Sequence, residues 1–221
     1  MDERAPSVAV HPELNGRLRL GWATARLGAP ADPAALDAAI ARETAALAAR
    51  FAGRTAGEIP HLRPARELYR AIGLDPTKTR PSPEALTRRI LRGDPFPRVH
   101  PAVDLANLWA VLHGLPVGLY DRDKLEGPIE ARVGRAGESY EGIRKGEIHL
   151  GGRFALLDAR GPFGKPSSDS LRASVDEGSR ALLFVLWAPG GHPESEMARW
   201  LEWLARASRD LLGAEDAATS A

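Results

Sequence analysis

The segment between residues 102 and 112 constrains the fold of this chain most strongly. It places nine apolar side chains in eleven positions and leaves only Asp104 and Asn107 as polar members, between Pro101 and His113. A helix that is apolar on nearly every side must be surrounded by other elements. The fold therefore needs a core that covers several sides of this helix, and a domain of 221 residues is large enough to supply one.

Helical patterns dominate the first half of the chain and strand patterns the second. Prolines at the starts and glycines after the ends delimit the helical segments. The predicted helices cover residues 33–51, 64–72, 83–91, 101–113 and 193–212, and the predicted strands cover 17–26, 117–120, 129–133, 147–150, 154–158 and 181–187. Because helices and strands do not alternate regularly, the pattern favours an α+β fold over a doubly wound sheet. We expect a single domain over residues 1–213 and a frayed tail over 214–221.

Composition and missing motifs exclude several classes of protein. The chain has no cysteine, which excludes a disulfide framework, a cysteine-ligated metal cluster and a thiol nucleophile. It lacks the glycine-rich loops that bind nucleotide phosphates, and its six histidines show no metal-binding spacing. No stretch approaches the roughly 18 to 20 apolar residues of a membrane span. We therefore expect no cofactor, no metal, no membrane or DNA partner, and a cytoplasmic location.

A basic segment lies between His61 and His100. It contains nine Lys and Arg residues against four Asp and Glu residues, a net charge of +5, although the whole chain carries only +1. Two interpretations stay open: solvated helix faces, or a tRNA-phosphate surface that binds weakly and with strong salt dependence. The candidate tRNA-binding residues are Arg80, Arg88, Arg89 and Arg92.

Two polar patterns are candidates for a ligand site. In residues 161–172, two glycines and two prolines fix the backbone path before small hydroxyls, a carboxylate and a guanidinium follow. This segment is either a surface turn capped by Asp169 and Ser170 or a pocket wall for a polar head group. On the apolar helix, Asp104 and Asn107 share one face, either in a hydrogen-bonded core network or on a stripe that faces a cleft.

A family resemblance connects these patterns. Residues 97–121 run P-R-V-H-P-A-V-D-L-A-N-L-W-A-V-L-H-G-L-P-V-G-L-Y-D, which resembles the signature V-D-x-T-N-x-x-x-x-x-x-G-x-P-x-H-A-[FY]-D of the editing domain in the phenylalanyl-tRNA synthetase β subunit. The glycine-rich G-P-F-G-K-P-S-S-D-S-L-R-A-S-V of residues 161–175 is similar to the family's G-x-x-G-G-x-x-S-x-V. Residues 69–86 resemble stand-alone members, the B3/B4-type domains. The similarity covers roughly residues 60–190, and the chain is identified as a free-standing B3/B4-type domain.

This resemblance implies a layered α+β domain with a central sheet assembly flanked by helices. It also implies an activity, because the synthetase domain hydrolyses tyrosine that is wrongly esterified to the phenylalanine tRNA. Asp104 and Asn107 match the signature, whereas Ala106 replaces its threonine and Gly118 replaces its pocket histidine. The tyrosine-specific pocket is therefore not intact: either a different amino acid is recognised or hydrolysis has been lost.

The leading hypothesis is a trans-editing hydrolase that deacylates a misacylated tRNA without a metal or a covalent nucleophile. In this hypothesis Asp169 orients the water, and Arg172 or Asn107 stabilises the developing negative charge. The remaining candidate substrate-binding residues are Asp104, Gly118, Gly161, Gly164, Ser168 and Ser170. Two alternatives stay open: a non-catalytic module that binds an amino acid or another small ligand, and a tRNA- or partner-binding module with a vestigial pocket.

Overall fold

A computed structural model of the protein describes residues 6–220. Its helices are α1 (Pro33–Arg50), α2 (Arg63–Ala71), α3 (Ser82–Leu91), α4 (Pro101–His113) and α5 (Glu194–Leu212). Its strands are β1 (Val8–Val10), β2 (Leu18–Leu27), β3 (Val117–Asp121), β4 (Ile129–Val133), β5 (Ser139–Gly142), β6 (Gly146–His149), β7 (Phe154–Asp158), β8 (Gly161–Lys165), β9 (Ser168–Asp169), β10 (Ala181–Pro189) and β11 (Ala214–Ser220). The predicted α+β class is confirmed.

The strands form two main sheets and a hairpin. A four-stranded antiparallel sheet has the order β11-β2-β10-β3, and a five-stranded sheet has the order β1-β4-β7-β8-β9. In the second sheet β1 pairs with β4 in parallel, and the other pairs are antiparallel. Strands β5 and β6 form a separate hairpin.

Strand β10 sets the order of the layers. All but the last of its nine residues are buried, and successive strand side chains point to opposite faces. One set of alternate residues, Leu182, Phe184 and Leu186, packs with α1, α4 and α5. The other set, which includes Leu183 and Val185, packs with β4, β7 and α2. The four-stranded sheet therefore lies between a helical layer and the second sheet.

Two glycines lie where the helices α4 and α5 make close contacts. Gly114 ends α4 in a left-handed conformation with φ 72°, and a Cβ there would lie 2.0 Å from the carbonyl oxygen of His61. On the neighbouring β2, a Cβ at Gly21 would lie 2.9 Å from side-chain atoms of Met197 and Leu201. A side chain at position 21 would require the Met197 and Leu201 side chains of α5 to shift. The helical layer is thus held tightly against the sheet.

The C-terminal segment corrects one expectation. Residues 214–220, expected as a frayed tail, form β11 and pair with β2 from Ala214↔Leu27 to Ser220↔Trp22; residue 221 lies outside the described part. The sequence of this segment is mostly alanine and polar residues, without alternation of apolar and polar side chains. The strand pairs through backbone hydrogen bonds, so side-chain pattern did not predict it. Within residues 6–220, no helix is both long and apolar enough to cross a membrane.

Candidate functional site

The candidate site is built around Asp169, where β9 meets β3 and β8. The buried Tyr120 hydroxyl donates a 2.6 Å hydrogen bond to Asp169 Oδ1. Two further tyrosines bind the adjoining backbone: the Tyr140 hydroxyl donates to the Ser168 carbonyl at 2.6 Å, and the Tyr69 hydroxyl donates to the Pro166 carbonyl at 3.1 Å. Together Asp169 and these three tyrosines form what we call the tyrosine–aspartate cluster.

Burial determines the protonation of this cluster. It raises the pKa of Asp169 to about 7, although the hydrogen bond from Tyr120 and the charge of Lys145 act in the opposite direction. Burial, together with the neighbouring Asp169 carboxylate, also raises the pKa of all three tyrosines above their usual value. At neutral pH the tyrosines are therefore neutral donors, and Asp169 can gain or release a proton. A carboxyl group with such a pKa is suited to general acid–base chemistry.

Two glycines make room for the Tyr120 hydroxyl. A Cβ at Gly118 would lie 2.3 Å from the Tyr120 oxygen, and a Cβ at Gly164 would lie 2.2 Å from it. Gly118 is the position at which the editing-domain signature has its histidine. The space that a side chain at 118 would need is thus occupied by Tyr120, two residues along the same strand. Spacing alone could have indicated this, because residues i and i+2 of a strand share a face.

Arg172 forms hydrogen bonds with the turn between β7 and β8. Its guanidinium donates to both oxygens of Asp158, at 2.6 and 3.1 Å, and to the Gly161 carbonyl at 2.8 Å. Burial acts to raise the pKa of Asp158, but the bonds from Arg172 and the backbone lower it overall. Ser170 is buried and accepts a 3.4 Å bond from the Ala173 amide. A role for Arg172 in charge stabilisation stays a prediction.

The polar residues of α4 differ in their surroundings. Asp104 is buried and accepts hydrogen bonds from Arg98 Nε at 2.8 Å and from the Val99 amide at 2.9 Å, so it belongs to a hydrogen-bonded network at the helix start. Asn107 is half-buried, and its side chain makes no hydrogen bond to another described residue. Helix α4 packs on the face of the four-stranded sheet opposite to Tyr120. A common cleft for Asn107 and Asp169 stays a prediction.

The arginines of the basic segment are largely committed to the protein itself. Arg92 pairs with Asp94, Arg80 lies 3.8 Å from Glu84, and Arg89 donates to the Pro95 carbonyl at 3.0 Å. Glu84 also receives two bonds from Arg66, at 2.7 and 2.8 Å. Of the four candidates, only Arg88 is exposed without a hydrogen bond or ion pair among the described residues. Glu84 and Asp94 are already counted in the net charge of +5, so these contacts do not lower the charge. They hold Arg80, Arg89 and Arg92 against the protein and so limit their freedom to reach phosphates.

Two cavities were not foreseen from the sequence. One of about 330 Å³ lies at the start of α4, between His100 and Leu212. The other, of about 500 Å³, is lined by His113, His192 and Trp200 among others; both histidines have a buried Nε2 atom with no hydrogen-bond partner. Burial lowers the pKa of His113 to about 4. Neither cavity is lined by Asp169 or Asn107.

Two packed sheets and a helical layer on one of them define the class, a layered α+β domain. The family model for the B3/4 domain matches residues 64–186, more than half of the chain. The chain therefore belongs to the B3/4 domain family, and the predicted membership is confirmed.

A solved structure shares this fold. The chain is similar to an N-terminal fragment of the phenylalanyl-tRNA synthetase β subunit from Pyrococcus horikoshii, with a TM-score of 0.52 and 13% identity. The alignment covers 99% of this chain and 55% of that fragment, so the chain spans about half of its length. At this identity the likeness shows the fold alone. Among curated proteins, none matches the chain.

Proposed function

We propose that this protein hydrolyses the ester bond of a misacylated tRNA, acting in trans as an editing enzyme. The observation that carries the proposal is the Asp169 carboxyl group, whose pKa of about 7 suits it to accept a proton from water at neutral pH. Membership in the B3/4 family and the fold shared with a phenylalanyl-tRNA synthetase fragment support it.

The proposed chemistry requires little of the protein, because an aminoacyl ester is already activated. Tyr120 holds Asp169 Oδ1 and leaves Oδ2 to accept a proton from water as the water attacks the ester carbonyl carbon. The bond to the ribose oxygen then breaks, this oxygen takes up the proton, and free amino acid and tRNA leave. Arg172 is the proposed group that stabilises the oxyanion, and Ser168 and Ser170 lie in the segment proposed to line the site. Asn107 is not given a role in this step, because α4 packs on the face of the four-stranded sheet opposite to Tyr120.

The Tyr120 hydroxyl limits which amino acid fits. It fills the space beside Gly118 and Gly164, so less room is left for an aromatic side chain. We expect the preferred misacylated tRNA to carry an amino acid smaller than tyrosine. The substrate would therefore not be the tyrosine-charged phenylalanine tRNA. Desolvated polar groups at such a site can discriminate between substrates by several kcal/mol.

The test is a panel of mischarged tRNAs incubated with wild-type protein, with Asp169→Asn and with Asp216→Asn. The last variant is the matched control, because Asp216 is an exposed carboxylate on β11. We expect hydrolysis of at least one panel member, a loss of roughly a hundredfold or more in Asp169→Asn and no change in Asp216→Asn. An Asp169→Asn protein that is folded and fully active would remove this residue from the mechanism.

A second candidate is a module that binds an amino acid without turnover. The observation that favours it is the absence of an imidazole at Gly118, where the editing signature has histidine. The space beside Gly118 is taken by the Tyr120 hydroxyl, which is already bonded to Asp169. This candidate predicts measurable binding of a free amino acid by calorimetry and no deacylation of any tRNA in the panel.

A further inference from the structure

Lys165, the last residue of β8, is largely buried, and its ammonium group has no partner among residues 6–220. Its side chain and backbone together retain 9% of their exposure. Among the residues that the structure describes, its ammonium group has neither a hydrogen bond nor a carboxylate within ion-pair distance. A charge on a side chain that is mostly withdrawn from water is usually paired in proteins.

Two further cations lie near this amine. Lys145 lies in the turn of the β5–β6 hairpin and donates to the Ser167 carbonyl at 3.0 Å, and Arg153 precedes β7. Both repel the Lys165 ammonium: burial first, then Arg153 and Lys145, lower the pKa of Lys165 to about 8. No carboxylate forms an ion pair with either residue within the described chain. Three positive groups thus lie near one another, and none of them forms an ion pair within the part of the chain that the structure describes.

The strand register relates this cluster to the proposed site. Lys165 pairs with Ser168 and the preceding Gly164 pairs with Asp169. A side chain at 164 would point at Tyr120, and successive strand side chains alternate, so Lys165 points to the face covered by the β5–β6 hairpin. The charge of Lys145 acts on both Lys165 and Asp169. The cations therefore lie across one short strand pair from the tyrosine–aspartate cluster.

At neutral pH, with a pKa of about 8, Lys165 is about nine-tenths protonated. An anion with several acceptor oxygens would satisfy the ammonium and offset the repulsion from Lys145 and Arg153. A carboxylate offers two such oxygens, whereas a phosphate group offers more oxygens and more charge. In the family pattern G-x-x-G-G, to which residues 161–165 are similar, Lys165 stands at the place of the last glycine.

We propose that Lys165, Lys145 and Arg153 form a binding site for a phosphate group. This proposal deepens the proposed function and rests on it for the source of the phosphate. In an aminoacyl-tRNA substrate, the group is the phosphodiester next to the aminoacylated ribose. Binding there would hold the ester at the Asp169 side of the β8–β9 pair.

The experiment measures the dissociation constants of two probes, inorganic phosphate and a single-stranded RNA ending in CCA with a free 3′ hydroxyl. The variants are Lys165→Met, Lys145→Met and the control Arg199→Met, which removes an exposed charge from α5. Lys165→Met retains the length of the side chain and removes a buried charge. Lys145→Met alters only an exposed turn residue, so it keeps the test valid should the first variant fail to fold.

We expect wild type to bind the RNA, inorganic phosphate to compete with it, and Lys165→Met to weaken both by on the order of tenfold to a hundredfold. Lys145→Met should weaken both several-fold, and the slope of log affinity against log salt should fall by about one unit in each variant. Arg199→Met should bind as wild type does. Equal affinities in wild type, Lys165→Met and Lys145→Met would overturn the site.

The other outcomes separate this proposal from the proposed function. Lys165-dependent binding of inorganic phosphate without binding of the RNA supports a phosphate site and overturns its assignment to RNA. Deacylation with an unchanged KM in Lys165→Met and Lys145→Met overturns the site and leaves the editing activity standing. Lys165-dependent RNA binding by a protein that deacylates no mischarged tRNA supports the site and contradicts the proposed function.

Discussion

Replacing Asp169 with asparagine should make the stability of the protein less dependent on pH. Asparagine is almost the same size, keeps an oxygen that can accept the Tyr120 hydrogen bond, and carries no ionisable proton. In the wild type, burial raises the pKa of Asp169 from 3.8 to about 7. Because the folded-state pKa lies above that of the unfolded chain, the protonated carboxyl group stabilises the fold fully below about pH 4. This contribution is lost as pH rises through about 7.

The size of the effect follows from the shift. A difference of about 3 between the folded-state and unfolded-state pKa changes the free energy of unfolding by about 4 kcal/mol as an upper bound. Allowance for the partial exposure of Asp169 reduces this change to about 2 kcal/mol. Asp169→Asn should therefore match the wild type in free energy of unfolding near pH 4. It should exceed the wild type by about 2 to 4 kcal/mol near pH 8.

Urea denaturation of both proteins between pH 4 and pH 9 measures this difference directly. The comparison cancels the titration of the other carboxylates, including Glu138, whose pKa is lowered to about 2 chiefly by its hydrogen bond from Arg132. Asp216→Asn, which changes an exposed carboxylate, should follow the wild-type curve. A difference between wild type and Asp169→Asn that stays constant across this range would refute the buried, proton-binding environment assigned to Asp169.

Three further predictions concern the neighbouring residues. Gly118→Ala should destabilise the fold by about 1 to 3 kcal/mol, because its Cβ would meet the Tyr120 hydroxyl; Gly57→Ala, where nothing lies closer than 4.0 Å, should change urea stability little. Arg172→Met should cost about 3 kcal/mol, because it leaves the buried Asp158 without its guanidinium; a thermal melt unchanged from that of Arg199→Met would contradict this. Charge reversal at Arg88 and Arg89 should weaken tRNA binding, and binding that is indifferent to salt between about 50 and 200 mM would rule out this surface.

The core was predictable from local patterns. The apolar run of α4 required burial, and its bounds follow from Pro101 and Gly114. The continuous apolar run of β10 is typical of a strand covered on both faces, which is how the structure places it. The sequences of α4 and β10 are enough to predict these two elements. An element that is buried on every side has no exposed face that the sequence would have to identify.

The sheet edges and the site were harder to predict. Strands β1 and β11 are joined to their neighbours by backbone hydrogen bonds, which leave little trace in side-chain pattern. The high pKa of Asp169 comes from its burial, and the hydrogen bond from Tyr120 acts against it. The residues around it, including Tyr69, Tyr120 and Tyr140, come from three separate parts of the chain. Lys165 could be noticed in the sequence only as a departure from a glycine pattern. Only the structure shows that its ammonium group has no partner among the described residues on the face of β8 that the β5–β6 hairpin covers.

The pH dependence of kcat/KM for deacylation shows whether Asp169 is the base in ester hydrolysis. The measurement uses the best substrate of the mischarged panel between pH 5.5 and 8.5, with the uncatalysed rate subtracted at each pH. The rate should rise with pH as Asp169 ionises, with a midpoint near pH 7, and level off above it. In Asp169→Asn this rise should disappear and the rate should be roughly a hundredfold lower. A wild-type profile that is flat across this range, or one that Asp169→Asn reproduces in full, would contradict this role of Asp169.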